Sequence, residues 1–202
     1  MKLTGSAAIA LGAMVFVTAC EGKKADNAMA DSTAMAMGSS TAATPTMEPA
    51  ASGLTDPNIV YIVSMANQGE IERGNIAGTK GTSAGVKSYG KMVAGEHKAL
   101  EAEAQALAKK LGVTPMAPAG DQSEMMAKQQ MEMFNSTAKG AAWDKAYVDY
   151  ELTYHQQLME TAKKAIAAAQ NQELKDLLGR AAPIVQKHID GAMDLQKKMS
   201  AM

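Results

Sequence analysis

Apolar residues recur every three or four positions between residues 56 and 199, which is the period of an amphipathic α-helix. The most regular stripe consists of Val86, Val93, Leu100, Ala104, Leu107 and Leu111. His97 lies on that stripe, in the slot between Val93 and Leu100. Thr82 or Ser83 can cap this segment at its start, and Gly112 can end it. The pattern therefore predicts one long helix with a histidine on its apolar face.

Three further long helices and one short helix follow from the same period and from helix-end signals. Their predicted bounds are about 56–77, 122–138, 142–169 and 172–199. Asp56 is the predicted cap of the first helix and Asn171 that of the last, and Asp121 with Glu124 has the spacing of a capping box for the short helix. Pro183 lies inside the last helix and cannot donate to the carbonyl of Gly179, so a kink and a freed carbonyl are predicted there.

This order of elements predicts an all-α fold, a four-helix bundle with the short helix in the long connection between the second and third long helices. Two topologies remain open. In the first, both tight turns lie at one end, and a rise of ~1.5 Å per residue places the three histidines of the chain in one layer. In the second, the long connection crosses the bundle, and the histidines agree in level within roughly 10 Å.

The composition narrows the function classes. The chain has 202 residues, with 20 Lys and Arg, 21 Asp and Glu, and a formal net charge of -1. Neither sign dominates, so nothing predicts attraction to nucleic acid or to an anionic surface. Aromatic residues make up only 4%, whereas alanine and methionine are abundant, which favours helices over a β-sandwich.

The N-terminus has the layout of a secretory signal peptide. A lysine precedes an apolar segment, residues 7–17, which is too short to span a bilayer because that needs ~20 residues. Small residues then lead into Cys20, the single cysteine of the chain, and this context resembles the bacterial lipobox. We therefore predict a lipoprotein signal peptide over residues 1–19 and lipidation of Cys20. An ordinary signal peptide with a chance cysteine is the alternative.

The predicted lipid gives a location and a partner. Acyl chains on Cys20 would hold the protein on a membrane, and Glu21 favours the outer membrane by resemblance to enterobacterial sorting rules. The expected location is the cell envelope, at the periplasmic face of the outer membrane. Residues 20–54 contain few large aliphatic side chains and are predicted to be a flexible tether, and residues 55–199 are the predicted bundle domain. The membrane is a predicted partner and nucleic acid is not, while protein partners and oligomeric state stay open.

Several short motifs on the predicted helices occur in an order and spacing that resemble one known family. They are Gly69-Glu70-Ile71-Glu72, residues 86–93, Glu96-His97, residues 143–147, His155, and Ala182-Pro183-Ile184 followed by His188. Over about residues 56–199 the chain resembles the bacterial domain-of-unknown-function family 4142 of the ferritin-like superfamily, whose members are often labelled outer-membrane proteins. The resemblance implies a ferritin-like four-helix bundle and no established activity.

The chain departs from true di-iron proteins at their ligands. Those proteins use Glu-x-x-His on two helices. Here Ala94 stands three residues before His97, and Val185 stands three residues before His188. A ferroxidase or oxygenase centre is therefore not predicted.

All three histidines lie on the predicted apolar stripes of different helices, and Glu70 lies on the stripe of the fourth. Imidazole nitrogens bind Zn, Cu, Ni or Fe, and a carboxylate commonly orients a ligating histidine. One hypothesis is therefore a divalent transition metal held by Glu70, His97, His155 and His188. Glu151 stands one turn before His155 and would accept a hydrogen bond from that ligand without binding the metal itself.

The other hypothesis is a buried polar layer that fixes the register of the bundle without a metal. In that arrangement every imidazole would find its partners within the protein. The available partners are Glu70, Glu151, Tyr147, Tyr154 and the carbonyl of Gly179.

The sequence contains few other motifs that indicate a specific chemistry. The sequence contains no Gly-rich phosphate loop, no G-x-S-x-G and no H-E-x-x-H motif. No catalytic residue is predicted, and a binding or structural role is favoured over an enzyme with a histidine base. A further hypothesis is a scaffold that docks envelope partners through the short helix, with Met126, Met133 and Phe134 at the contact.

Overall fold

Five α-helices make up the computed structural model, which describes residues 53–201. They are α1 (Asp56–Lys80), α2 (Ala84–Leu111), α3 (Ser123–Ser136), α4 (Ala141–Ala168) and α5 (Gln172–Ser200). No strand occurs within residues 53–201, which confirms the predicted all-α class. None of these five helices has the length and apolar character needed to cross a membrane. The predicted signal peptide, Cys20 and nearly all of the predicted tether lie outside the described residues.

Three helix ends use the residues that the sequence indicates. The hydroxyl of Ser83 caps α2 by accepting a hydrogen bond from the amide of Val86 at 3.1 Å. Gly112 ends α2 with a φ of 64°, in the left-handed region that glycine adopts without steric penalty. Asn171 caps α5 with its side-chain oxygen. α5 then continues through Pro183 to Ser200 without a break.

The start of α1 differs from the sequence prediction. Thr55 is the N-cap residue, and its hydroxyl accepts a hydrogen bond from the amide of Asn58. The carboxylate of Asp56 instead accepts the backbone amides of Gln170 at 2.8 Å and Asn171 at 3.1 Å. The start of α1 therefore lies beside the turn between α4 and α5.

The opposite end of the bundle is marked by Asp144, in the first turn of α4. Its carboxylate accepts the backbone amides of Thr82 at 2.8 Å and Ser83 at 2.7 Å, both in the turn between α1 and α2. α4 thus begins at the end where α1 finishes, whereas α2 finishes at the other end. The connection over residues 112–140 therefore crosses the length of the bundle, which is the connection that ferritin-like bundles use.

This crossover contains α3, and the capping box predicted for it is wrong. Gln122 is the N-cap residue and makes no side-chain capping bond. Asp121 accepts hydrogen bonds from the amide and hydroxyl of Ser123, and Glu124 accepts one from the hydroxyl of Tyr61 on α1. A local turn and a tertiary contact therefore compete successfully for the two carboxylates that the box would have used.

The core of the bundle is divided into two apolar clusters. The cluster near the α1–α2 turn consists of Ile76, Ala77, Val86, Tyr89, Val93, Phe134, Trp143, Tyr147, Val148 and Ala192. The cluster near the α4–α5 turn consists of Ile59, Val60, Ala104, Ala108, Ala165, Ala169, Leu174, Leu177 and Leu178. Between them every long helix contributes buried polar side chains, which we call the polar layer: Asn67, Glu70, Arg73, His97, Glu101, Glu151, His155 and His188.

Small residues bring α1 and α2 close together beside this polar layer. A Cβ atom on Gly74 would lie 2.3 Å from the carbonyl oxygen of Gly90 and 2.7 Å from the Cβ of Ala94. A larger side chain at this contact would force the two helices apart. The glycines therefore set the spacing at which α1 and α2 meet.

Candidate metal centre

Three imidazole rings meet in the polar layer. His97 comes from α2, His155 from α4 and His188 from α5, and all three side chains are fully buried. One ring nitrogen of each lies within 4.8 Å of those of the other two. The ring centroids of His97 and His155 are 5.8 Å apart, those of His97 and His188 are 5.2 Å apart, and those of His155 and His188 are 4.9 Å apart. Three of the proposed ligands, which are distant in sequence, therefore face one another.

Asn67 on α1 orients His97. The side-chain oxygen of Asn67 lies 2.8 Å from Nδ1 of His97. The side-chain nitrogen of Asn67 donates to a carboxylate oxygen of Glu101 at 3.2 Å. The side-chain oxygen of Asn67 is therefore the atom that faces His97. Because that oxygen only accepts, Nδ1 of His97 carries the proton and donates it.

The other two rings also have oxygen acceptors behind them. Nδ1 of His155 donates to the backbone carbonyl of Glu151 at 2.9 Å. Nε2 of His188 lies 2.8 Å from a carboxylate oxygen of Glu96, and Glu96 also accepts a short contact from Lys187. Hydrogen bonds from Lys187 and His188 lower the pKa of Glu96, although its partial burial alone would raise it. Glu96 is therefore ionised at neutral pH, and Nε2 of His188 donates.

Each ring consequently turns a proton outward and a lone pair inward. Nε2 of His155 lies 3.1 Å from Nδ1 of His188. Both neutral rings have already used their single proton on an oxygen, so none remains for this contact. Nε2 of His97 is buried and has no hydrogen-bond partner. Three nitrogen lone pairs therefore converge in one buried place.

Burial keeps these rings in the neutral form. Loss of water, together with the neighbouring His188 and His155, lowers the pKa of His97 to about 2. Burial and the neighbouring His155 lower the pKa of His188 to about 4, against the opposing effect of Glu96. Burial also lowers the pKa of His155. A neutral imidazole is the form that binds a metal ion.

Two buried carboxylates adjoin the histidines. An oxygen of Glu70 on α1 lies 3.5 Å from Nε2 of His155, the nitrogen that faces the other rings. An oxygen of Glu151 on α4 lies 3.5 Å from Nδ1 of His155. Burial and the nearby Glu70 raise the pKa of Glu151 to about 8, and burial raises the pKa of Glu70. Without a metal, one proton is therefore held by this pair at neutral pH.

Arg73 supplies the positive charge that faces the two carboxylates. Its Nε donates to Glu151 at 2.9 Å, and its Nη2 lies 2.7 Å from an oxygen of Glu70. The guanidinium carbon lies 4.2 Å from the ring centroid of Tyr154 and 5.2 Å from that of Tyr150. Burial alone would lower the pKa of Arg73, but the two carboxylates raise it well above its ordinary value. Arg73 is a permanent cation in the layer.

Unsatisfied polar atoms are concentrated here. Within the described residues, six buried side-chain nitrogen and oxygen atoms have no hydrogen-bond partner, and five belong to the polar layer. They are both carboxylate oxygens of Glu70, Nη2 of Arg73, Nε2 of His97 and Oε2 of Glu151. One oxygen of Glu70 and Nη2 of Arg73 nevertheless form an ion pair with each other at 2.7 Å. Nε2 of His97, Oε2 of Glu151 and the second oxygen of Glu70 are left without a hydrogen-bond partner. An unsatisfied buried group costs ~1–3 kcal/mol, so these three atoms need a partner that the described residues do not supply.

The structure thus brings His97, His155 and His188 into one group and Glu70, Glu151 and His155 into an adjoining one. Sequence reasoning missed the partners of these residues. Asn67 and Arg73 lie three residues on either side of Glu70, so the helical face of α1 contained their signal. Glu96 carried no such signal, because it reaches His188 only across the α2–α5 contact.

The polar-layer hypothesis predicted a set of hydrogen-bond partners for the rings, namely Glu70, Glu151, Tyr147, Tyr154 and the carbonyl of Gly179. Of those, only the backbone carbonyl of Glu151 accepts a hydrogen bond from a ring nitrogen in the described part of the chain. The hydroxyl of Tyr147 has no partner, and Tyr154 packs edge-on against His155 at 6.1 Å between ring centroids. The docking hypothesis also changes: Phe134 is buried, while Met126 and Met133 are exposed.

Comparison with known proteins identifies a family of unknown function. A family model described as "Domain of unknown function (DUF4142)" matches residues 39–195. No curated protein and no solved structure matches the chain. The matched range contains every residue of the polar layer.

Proposed function

The chain belongs to the family described as "Domain of unknown function (DUF4142)", and from the polar layer of this member we propose that it binds a divalent transition metal. His97, His155 and His188 are the nitrogen ligands in this proposal. The long crossover further supports a place for the bundle in the ferritin-like superfamily.

One observation carries the proposal. Each histidine donates its outer proton to an oxygen acceptor, namely Asn67, the carbonyl of Glu151 or Glu96. Metal-ligating histidines are commonly held in this way, because the outer hydrogen bond fixes both the tautomer and the ring orientation. Here the same arrangement occurs on three helices and directs three lone pairs to one place.

Glu70 is the proposed fourth ligand. One of its carboxylate oxygens lies 3.5 Å from the inward nitrogen of His155 and 2.7 Å from Nη2 of Arg73, and the other oxygen has no hydrogen-bond partner. Three imidazole nitrogens with one carboxylate oxygen suit Zn, Cu, Ni or Fe, and they do not suit Ca or Mg, which prefer all-oxygen sites. A closed set of four protein ligands is typical of a tightly held ion.

Burial favours a binding role over catalysis. Glu70, His155 and His188 have no exposed surface, so no substrate reaches the nitrogen cluster in this conformation. The outermost member of the network is Glu96, whose side chain is 31% exposed. We propose that the protein stores, buffers or senses the metal.

The test is metal content and thermal stability of the purified bundle. We expect about one equivalent of zinc, copper, nickel or iron after purification, and a rise in Tm when that metal is added back to chelated protein. The double variant His97→Ala/His188→Ala should lose both effects. Glu103→Gln, an exposed carboxylate on α2, should lose neither. Protein that contains no metal and shows no Tm shift would leave the layer with a purely structural role.

We further propose that the protein is a lipoprotein of the outer membrane, facing the periplasm through a lipid on Cys20. The sequence motif around Cys20 supports this, and the bundle would then hold its metal in the envelope. Mass spectrometry of the full-length protein expressed in a bacterium should find acyl chains on Cys20. Cys20→Ser should release the protein from the membrane fraction, and an unmodified wild-type cysteine would contradict the proposal.

A further inference from the structure

A second group of potential ligands adjoins the three histidines. One ligand atom from each of Glu70, Glu151 and His155 lies within 4.8 Å of the other two. His155 belongs to both groups, and Glu70 is the proposed fourth ligand of the first. Two adjoining groups that share ligands are the arrangement in which bundles hold a pair of metal ions.

Arg73 already neutralises this second group. Its side chain is 3% exposed and reaches both carboxylates, with Nε 2.9 Å from Glu151 and Nη2 2.7 Å from Glu70. The rings of Tyr154 and Tyr150 lie against the guanidinium. The cation is therefore fixed on both carboxylates, at contact distances that leave no room for another ion between them and it.

We infer that Arg73 is a built-in second cation, so that the polar layer takes a single metal ion at its histidine side. This inference rests on the proposed function, because it concerns the number of ions at the same site. It also distinguishes this layer from a dinuclear centre, which the two groups of ligands would otherwise permit.

Charge gives the physical reason. With both carboxylates ionised, Arg73 and one divalent ion leave the group of Glu70, Glu151, Arg73 and the metal with one net positive charge. A second divalent ion beside the guanidinium would leave three net positive charges in a buried place. Like charges a few ångströms apart repel strongly where water is excluded, so the second ion is disfavoured.

A groove open to solvent leads to the position of Arg73. A groove of about 640 Å³ lies between α1, α3 and α4, and Arg73, Tyr150 and Tyr154 form part of its wall. Shortening Arg73 would therefore expose the two carboxylates toward a groove that an ion from solvent can enter. The second site should then become available.

The test is zinc stoichiometry by native mass spectrometry on the full bundle, with circular dichroism to verify the fold. We expect one zinc ion per chain for the wild type. Arg73→Lys, which keeps a cation near the carboxylates, should also bind one. Arg73→Ala should bind two, and the second ion should be lost again in Arg73→Ala/Glu151→Gln.

The outcomes separate the two proposals. No zinc on the wild type would overturn this inference, and the absence of copper, nickel and iron as well would overturn the proposed function with it. Two zinc ions on the wild type, or one on a folded Arg73→Ala, would support the proposed function and overturn this inference alone. If Arg73→Ala unfolds without metal because two buried carboxylates lose their counter-ion, two equivalents of zinc should restore its helical signal. If one equivalent of zinc restores the helical signal, or if zinc does not restore it, the inference is overturned.

Discussion

Nε2 of His155 lies 3.1 Å from Nδ1 of His188, across the contact between α4 and α5. Both nitrogens are the ones that remain without a proton after the rings have donated to Glu151 and Glu96. Two ligands at ~2.0–2.1 Å from a tetrahedral zinc ion lie roughly 3.3 Å apart, so the observed separation is close to that of two nitrogens on one metal. This pair therefore links the fold of the bundle to the proposed metal.

Asn67 should control metal affinity without binding the metal itself. Asn67→Ala removes the acceptor that orients His97, and such outer-shell losses weaken metal binding by about 10-fold to 100-fold. Competition with a chromophoric chelator would measure the change. Asn135→Ala, on the exposed side of α3, is the matched control and should bind as the wild type does. Equal affinity in the two variants would show that Asn67 does not hold a ligand.

The metal-free protein should be most stable near pH 6.5. The pKa of Glu151 is raised from 4.5 to about 8, so the folded state keeps a proton that the unfolded state loses. Its stabilisation is complete below pH 4.5 and decreases as the pH rises toward 8. The lowered pKa values of His97 and His188 act in the opposite direction, and their stabilisation is lost as the pH falls below 6.5.

Urea unfolding in a chelating buffer would measure this dependence. Between pH 6.5 and 8 the free energy of unfolding should decrease by up to about 2 kcal/mol. Glu151→Gln does not titrate and should reduce that decrease. A wild-type free energy of unfolding that rises over the same interval would refute the assignment of the raised pKa to the buried carboxylates.

Gly74→Ala should destabilise the bundle, because the added methyl would lie 2.3 Å from a backbone carbonyl of α2. Overpacking of this kind typically costs ~1–3 kcal/mol. Gly95→Ala is the matched control, since a Cβ there meets no atom within 4 Å and removal of a helical glycine stabilises by roughly 0.5–1 kcal/mol. Urea unfolding should therefore give opposite signs for the two variants, and equal signs would contradict the close packing of α1 on α2.

Asp144→Asn should weaken the end of the bundle where α1, α2 and α4 meet. Both carboxylate oxygens accept hydrogen bonds, from Thr82 and Ser83, and an amide offers only one acceptor. These hydrogen bonds lower the pKa of Asp144 although burial alone would raise it. We expect a loss of ~1–3 kcal/mol in the free energy of unfolding at neutral pH. Asp190→Asn, exposed on α5, should be neutral, and a similar loss there would point to net charge instead.

The sequence by itself determined the helices and the buried face of each long one. A period of three or four reports which side of a helix avoids water, and it placed the three histidines and Glu70 on that side. Helix ends with strong local chemistry, such as Ser83, Gly112 and Asn171, were predictable for the same reason. The capping box at Asp121 was not, because Ser123 and Tyr61 compete for its carboxylates.

Only the tertiary structure decided the topology and the chemistry of the polar layer. Periodicity carries no information about the end at which a turn lies, and contacts of Asp56 and Asp144 across the bundle settled that. Periodicity also cannot say which inward residues share a level on neighbouring helices. The pairing of Glu96 with His188, and of Arg73 with Glu151, depends on axial register between helices, which packing sets after the helices have formed.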